Sequence, residues 1–191
     1  GVASLQTVES ETPVPGNSKI PETELNFAEL FQQYYPRVYN YLRYRVNTVE
    51  DVEDLISTVF EKAYTRREQY DANKGAFSTW IFRIAHNTLV NFYRTNQRRS
   101  AWESGQAVPE DFVTAETAPE TQLVRQEMVA GLLQGLENLS DRDQEVISLK
   151  FAGRLSNKEI GQIMELKEKT VSVVLLRAMR RLQKQLQEPA A

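Results

Sequence analysis

The chain has 191 residues, 41% of them apolar, and a formal net charge of −3, which suits two small domains with buried cores and excludes wholesale disorder. It has no cysteine and a single histidine, His86, so disulfides, thiolate metal sites and histidine-based metal centres or triads fall away. No apolar run reaches the length of a membrane span and the N-terminus lacks a basic-then-apolar signal, so the expected compartment is the cytoplasm.

Charge divides the chain. Residues 1–25 carry −3 and residues 101–121 carry −5, whereas residues 26–100 carry +3 and residues 122–191 carry +2. Both acidic stretches contain proline and glycine and show no apolar period, so they read as a disordered N-terminal tail and a flexible acidic linker. The remainder forms two small helical domains, 26–100 and 122–188. Alternating strand patterns are absent, and the chain reads as all-α.

In the first domain, Phe27, Leu30, Phe31, Tyr34, Val38, Tyr41 and Leu42 mark a helical segment ending near Val46. Pro36 lies inside it, and the missing N–H together with the ring clash predicts a kink or a break into two shorter helices. Val52, Leu55, Ile56, Val59, Phe60, Ala63 and Tyr64 define a second helix, with Asp51, Glu53 and Asp54 at its start, where the helix dipole favours negative charge. A loop from Tyr70 to Ala76 follows, with Asn73 and Gly75 as turn formers and Lys74 reaching outward.

The third helix carries the clearest functional signal. Phe77, Trp80, Ile81, Ile84, Ala85, Thr88 and Phe92 step by three and four, as one buried face requires. On the opposite face, Arg83, Asn87, Asn91, Arg94 and Arg98 step the same way, and no Asp or Glu interrupts positions 72 to 102. A solvated face ordinarily mixes signs. Arginine neutralises phosphate and asparagine can both donate to and accept from a base edge, so the stripe points to nucleic acid.

In the second domain, a helix over roughly 121–138 is followed by one starting at Ser140, a good N-cap, with Val146, Leu149 and Phe151 as its core side. Ser156 and Glu159 form a capping box ahead of a short helix with Ile160, Ile163 and Met164 inward. After a tight turn at Glu165-Leu-Lys167, a longer helix puts Val171, Leu175, Ala178 and Leu182 inward and Arg177, Arg180, Arg181 and Lys184 toward its end. Short helix, three-residue turn and longer helix make a helix-turn-helix.

Taken in order, Tyr34-Tyr-Pro-Arg-Val-Tyr39, Glu53-Asp-Leu55 with Phe60 and Lys62-Ala63, Phe77-Ser-Thr-Trp-Ile-Phe-Arg-Ile-Ala85 with Asn87, and Leu155-Ser156 through Glu159-Ile160 to Thr170-Val171 and Arg177-Ala178 resemble the extracytoplasmic-function sigma factors of bacterial RNA polymerase. The resemblance covers about 27–188. It implies a non-enzymatic, cofactor-free and metal-free subunit that joins core polymerase through the clamp helices and flap, recognises −10 and −35 promoter elements and helps open the duplex. It also implies control by an anti-sigma factor, which would hold the otherwise cytoplasmic chain near the membrane, and no small-molecule substrate. The polymerase contact would fall on Asp51, Asp54, Leu55, Thr58, Phe60 and Glu61. The −10 element would meet Lys74, Phe77, Trp80, Arg83, Asn87, Asn91, Arg94, Arg98 and Arg99, with Trp80 mainly a packing residue. The −35 element would meet Lys167, Lys169, Thr170, Ser172, Val173, Arg177 and Arg181.

Two departures from the family pattern stand out. Ser57-Thr58 replaces a common Gln-Glu, which removes one acidic polymerase contact. Val174 stands where a basic reader is usual, and valine can offer only methyl contact, for example to a thymine methyl. Glu165 also occupies a turn position that glycine would ease. The rival reading is a stand-alone helix-turn-helix regulator, which would bind duplex DNA without polymerase. An enzyme is disfavoured, because no cluster of His, Cys or paired buried acids supports chemistry.

Overall fold

The computed structural model describes residues 22–96 and 119–188, and every regular element in them is helical. The expected acidic tail lies almost wholly outside the described residues, as do most of the expected linker, Arg98 and Arg99. The first domain consists of α1 (Glu22–Arg45), α2 (Val49–Thr65), a short 3-10 turn (Arg67–Gln69) and α3 (Phe77–Asn96). The second consists of α4 (Pro119–Glu137), α5 (Asp141–Ile147), α6 (Asn157–Met164) and α7 (Glu168–Gln187). Between α5 and α6 the chain passes through a π-helical turn at Ser148–Ala152.

Helix α1 runs unbroken through Pro36, so the expected break into two helices does not occur. Proline removes a single hydrogen bond, and the buried row Val38, Tyr41 and Leu42 holds the following turns against the core. Helix α2 starts at Thr48, whose side chain accepts from the Asp51 backbone N–H and whose hydroxyl donates to the Asp51 carboxylate at 2.6 Å. Asp51 therefore helps cap its own helix. Behind it, Val52, Leu55, Ile56, Val59 and Ala63 are buried against α1 and α3.

Helix α3 is apolar over a wider arc than its main stripe predicts. Phe82 and Leu89 are buried along with Ile81, Ile84 and Ala85. The reason is that α3 packs on α1 and α2 of its own domain and also on α6 of the other, and Phe82 lies against the Tyr41 ring at 5.7 Å and beside Gly153. A Cβ at Gly153, in the connector after the π turn, would stand 2.6 Å from the Leu149 carbonyl oxygen of its own domain and 3.0 Å from the Phe82 ring, so the π turn itself requires glycine, and its absent side chain also eases the approach of the two domains.

In the second domain, the Ser140 hydroxyl caps α5 by accepting from the Asp143 N–H. The π turn then admits one residue more than an α-turn, with the Gly153 N–H donating to the Ser148 carbonyl at 3.0 Å. That shift turns Phe151 outward, correcting its assignment to the core, while Leu149 and Ala152 point in. The capping box of α6 forms as its sequence implies, with Ser156 and Glu159 satisfying each other's backbone N–H groups. Glu165 adopts the left-handed conformation, φ 56° and ψ 42°, without being glycine. Gly161 makes the turn possible: a Cβ there would stand 2.5 Å from the Leu166 carbonyl oxygen, and the Leu166 N–H donates back to the Gly161 carbonyl.

Candidate nucleic-acid interface

The polar stripe of α3 forms as one exposed face carrying Arg83, Asn87, Asn91 and Arg94. Asn87, Asn91 and Arg94 line a cleft between α2 and α3, whose other wall bears Lys62 and Arg66, and no acidic side chain lines it. Lys62 and Arg66 were not in the sequence-derived site. Their spacing of four on the last turn of α2, flanking the buried Ala63, is the signal that could have found them.

A second cleft opens at the start of α3, lined by Tyr70, Asp71, Lys74, Gly75, Trp80 and Arg83. Asp71 shapes the loop, its side chain accepting from the Asn73 N–H at 2.9 Å and its carbonyl from the Lys74 N–H at 3.0 Å. Burial, with Tyr34 and Asp71 nearby, pushes the Tyr70 phenol upward from its usual range, so it stays a neutral hydrogen-bonding group. Trp80 is half-buried and edges this cleft, as its mixed role anticipates. Phe77, 6% exposed, sits among the rings of Phe27, Tyr34, Tyr70 and Trp80, with centroids 5.0 to 5.9 Å away. In this conformation it supports the loop from beneath and offers no surface to DNA.

The far wall of the second cleft is Gln162 of α6, whose carbonyl accepts from Arg83 at 3.3 Å. This is one of several bonds by which the two domains clasp each other. Ser78 and Thr79 both donate to Glu159, the capping-box carboxylate of α6. Burial raises the Glu159 pKa, but bonds from Ser78, from the backbone and side chain of Ser156, and from Thr79 outweigh it, and the net shift is downward. Arg37 donates to the Gly153 carbonyl at 2.9 and 2.6 Å. At the centre lies Glu145, 4% exposed, which accepts from the Tyr41 hydroxyl at 2.6 Å and Arg45 at 3.0 Å and pairs with His86 at 2.8 Å. Burial and the neighbouring Glu145 charge raise the Tyr41 phenol well above its ordinary value. None of these residues lies on an amphipathic stripe that single-helix periodicity could assign to a second domain.

On α7, Lys169, Ser172, Val173 and Arg177 are exposed, Lys167 is exposed at the N-cap position, and Thr170 is half-buried. The Ser172 hydroxyl donates to the Glu168 carbonyl and accepts from Asn157. Arg181 pairs with Asp143, which is 1% exposed, and so braces α7 on α5. Val174 is 5% exposed and packs into the core, correcting the reading of 174 as a reader position; the outward neighbours are Val173 and Leu176.

On the α1–α2 side, Asp54 and Glu61 are exposed and Asp51 is partly exposed. Leu55 is 6% exposed and Thr58 donates to its own helix at the Asp54 carbonyl, so neither presents a strong contact group. Phe60 does. With Phe31, Tyr35 and Pro36 it lines an apolar groove, its ring T-shaped on Phe31 at 4.7 Å.

The match to known proteins follows the two domains. Residues 30–99 match the family model for Sigma-70 region 2, and residues 131–182 match that for Sigma-70 region 4. The RNA polymerase sigma factor YlaC of Bacillus subtilis is 31% identical over 160 residues, covering 83% of this chain and 90% of YlaC. The chain belongs to the extracytoplasmic-function sigma factors. The sigma factor BldN of Streptomyces coelicolor is 29% identical over 86% of this chain, and the match spans 61% of BldN's own length. Among solved structures, the sigma factor RpoE of Bartonella quintana, in complex with the anti-sigma factor NepR, matches with a TM-score of 0.69 at 20% identity over 86% of this chain and 99% of that one. CnrH, in complex with the cytosolic domain of CnrY, matches with a TM-score of 0.61 at 22% identity over 85% and 88%. Sigma factors are non-enzymatic transcription-initiation factors, and the partners of region 2 and region 4 are core RNA polymerase and promoter DNA. Among the described residues, no helix is long and apolar enough to cross a membrane.

Proposed function

We propose that this sigma factor opens promoters with the α3 face of its first domain and anchors on the −35 element with α7. The observation that carries the first half is the acid-free cleft in which Asn87, Asn91 and Arg94 meet Lys62 and Arg66. Cations from two helices hold the backbone of a separating strand, and the two amides between them meet base edges. The loop cleft at Tyr70, Lys74 and Trp80 is sized and lined to receive an unstacked base. Core polymerase seats on α2 and the groove at Phe60, with Asp54 and Glu61 as exposed acids. The domain limits 26–100 and 122–188, the tail and the linker belong to the same proposal.

This conformation is closed. Glu159 touches Ser78, whereas −10 and −35 elements lie roughly 25 base pairs, or about 85 Å, apart along B-DNA. One chain cannot engage both while the domains clasp. The 22 residues between Asn96 and Pro119 span at most about 75 Å when extended, which, added to the width of the domains, suffices to bridge the two elements. An anti-sigma factor of the kind bound by RpoE in its solved complex would act by holding the domains away from that open arrangement.

Reconstituted transcription tests the assignment. Asn87→Ala should lower opening and −10 discrimination about 5- to 100-fold, the range of one lost amide–base contact, while affinity for core polymerase stays unchanged. Equal preference for intact and altered −10 sequences before and after the change would refute the role.

A further inference from the structure

Helix α7 repeats the stripe of α3 with two substitutions of chemistry, Val173 at the place of Asn87 and Arg177 at the place of Asn91. Arg83, Asn87, Val90, Asn91 and Arg94 have the same relative spacing as Lys169, Val173, Leu176, Arg177 and Arg180, and both helices are 20 residues long. All ten side chains are exposed. Where α3 places an amide one turn after its first cation, α7 places Val173, 47% exposed, with Leu176 beside it at 51%. An apolar pair in the middle of a cationic face is unusual for solvent alone.

We infer that Val173, flanked by Leu176, reads thymine by its C5-methyl group, making this chain's −35 contact a methyl readout in place of a hydrogen-bonded one. The inference rests on the assignment of α7 to the −35 element. In a helix-turn-helix, the N-terminal residues of the second helix face base edges in the major groove. Val173 falls in the second turn of α7, with Lys169 one turn before it and Arg177 one turn after to hold phosphates. Valine has no donor or acceptor, so it cannot distinguish the edges of guanine, adenine or cytosine. Thymine alone among the four bases adds a methyl to the major groove. Ser172, the nearest polar side chain on the exposed face, is already bonded to Glu168 and Asn157 and competes little for a base edge. The cations around Val173 fit a polyanion better than an apolar protein surface, which selects DNA over a partner helix as the occupant.

Replacing thymine by deoxyuridine removes that methyl and nothing else. The experiment measures promoter affinity of full-length chain with core polymerase, each −35 thymine being replaced singly by deoxyuridine. One or two positions should weaken binding roughly three- to fourfold, the value of one buried methyl. With Val173→Ala the same substitutions should become neutral, and Val173→Thr, which keeps one methyl and the shape, should retain part of the sensitivity. Deoxyuridine that is neutral at every position, or that weakens Val173→Ala as much as the parent, overturns the inference while leaving the −35 assignment standing. A scrambled −35 element that binds as well as the intact one overturns both. Because Val173 is exposed, its variants should fold as the parent does, and unchanged helicity checks this.

Discussion

Helices α3 and α7 share length and spacing, but α3 is gripped by the other domain while the exposed face of α7 is uncovered. Arg83 is bonded to Gln162 and the cleft beside it is walled by α6, whereas Lys169, Val173 and Arg177 all stand exposed. The difference teaches that closure in this molecule is asymmetric. On the proposed assignment of α3 and α7, region 4 would keep its reading face free while α6 covers the start of the region 2 face at Arg83.

The strongest way to break this comparison is to remove Glu145. Without its carboxylate, Tyr41 loses its partner and Arg45 keeps only the Gln144 amide oxygen at 2.6 Å, a loss of about 3–5 kcal/mol for a broken buried pair. Glu145→Ala should therefore open the free chain, seen as a larger radius of gyration in solution scattering, and should raise its affinity for single-stranded −10 DNA without core polymerase. A variant as compact as the parent would show that the clasp does not depend on this cluster.

Glu145 also marks the limit of what the sequence made legible. The helices, the caps at Ser140 and Ser156, the left-handed Glu165 and the α3 stripe all follow from local pattern, because each depends on neighbours three or four residues away. Pro36, Phe151 and Val174 do not. Packing carries α1 through the proline, the π turn rotates Phe151 outward, and the register of α7 puts Val174 inward. Glu145, Glu159, Arg37 and Gly153 act across some eighty to a hundred and sixteen positions of sequence. No periodicity within one helix reports a partner so remote, and a buried glutamate reads in sequence as a surface residue.

A smaller effect sharpens the contrast within α7 itself. Arg177 and Arg181 are one turn apart and the family resemblance implies a DNA contact for both, yet Arg181 is committed to the buried Asp143. Arg181→Ala should lower thermal stability by about 1–3 kcal/mol, because Asp143 is left without its partner, and should leave the salt dependence of promoter binding nearly unchanged. Arg177→Ala should do the reverse, keeping the melting temperature and reducing the salt slope by about one. Equal salt slopes for the two variants would remove the distinction.

The smallest effect concerns proton binding at the clasp. Glu159 has its pKa lowered in the closed state, so it contributes stability that is fully present above the ordinary carboxylate range and is lost as pH falls through the lowered value. The contribution should be constant from neutrality down to about pH 5 and decline below it. Other carboxylates titrate in the same window, so the measurement that isolates Glu159 is the difference in melting temperature between the parent chain and Glu159→Gln. That difference should favour the parent at pH 7 and shrink steadily toward pH 3. A difference near zero at every pH would mean that the Ser78 and Thr79 hydroxyls bond to an amide as well as to a carboxylate, and that the charge of Glu159 does not hold α6 against α3.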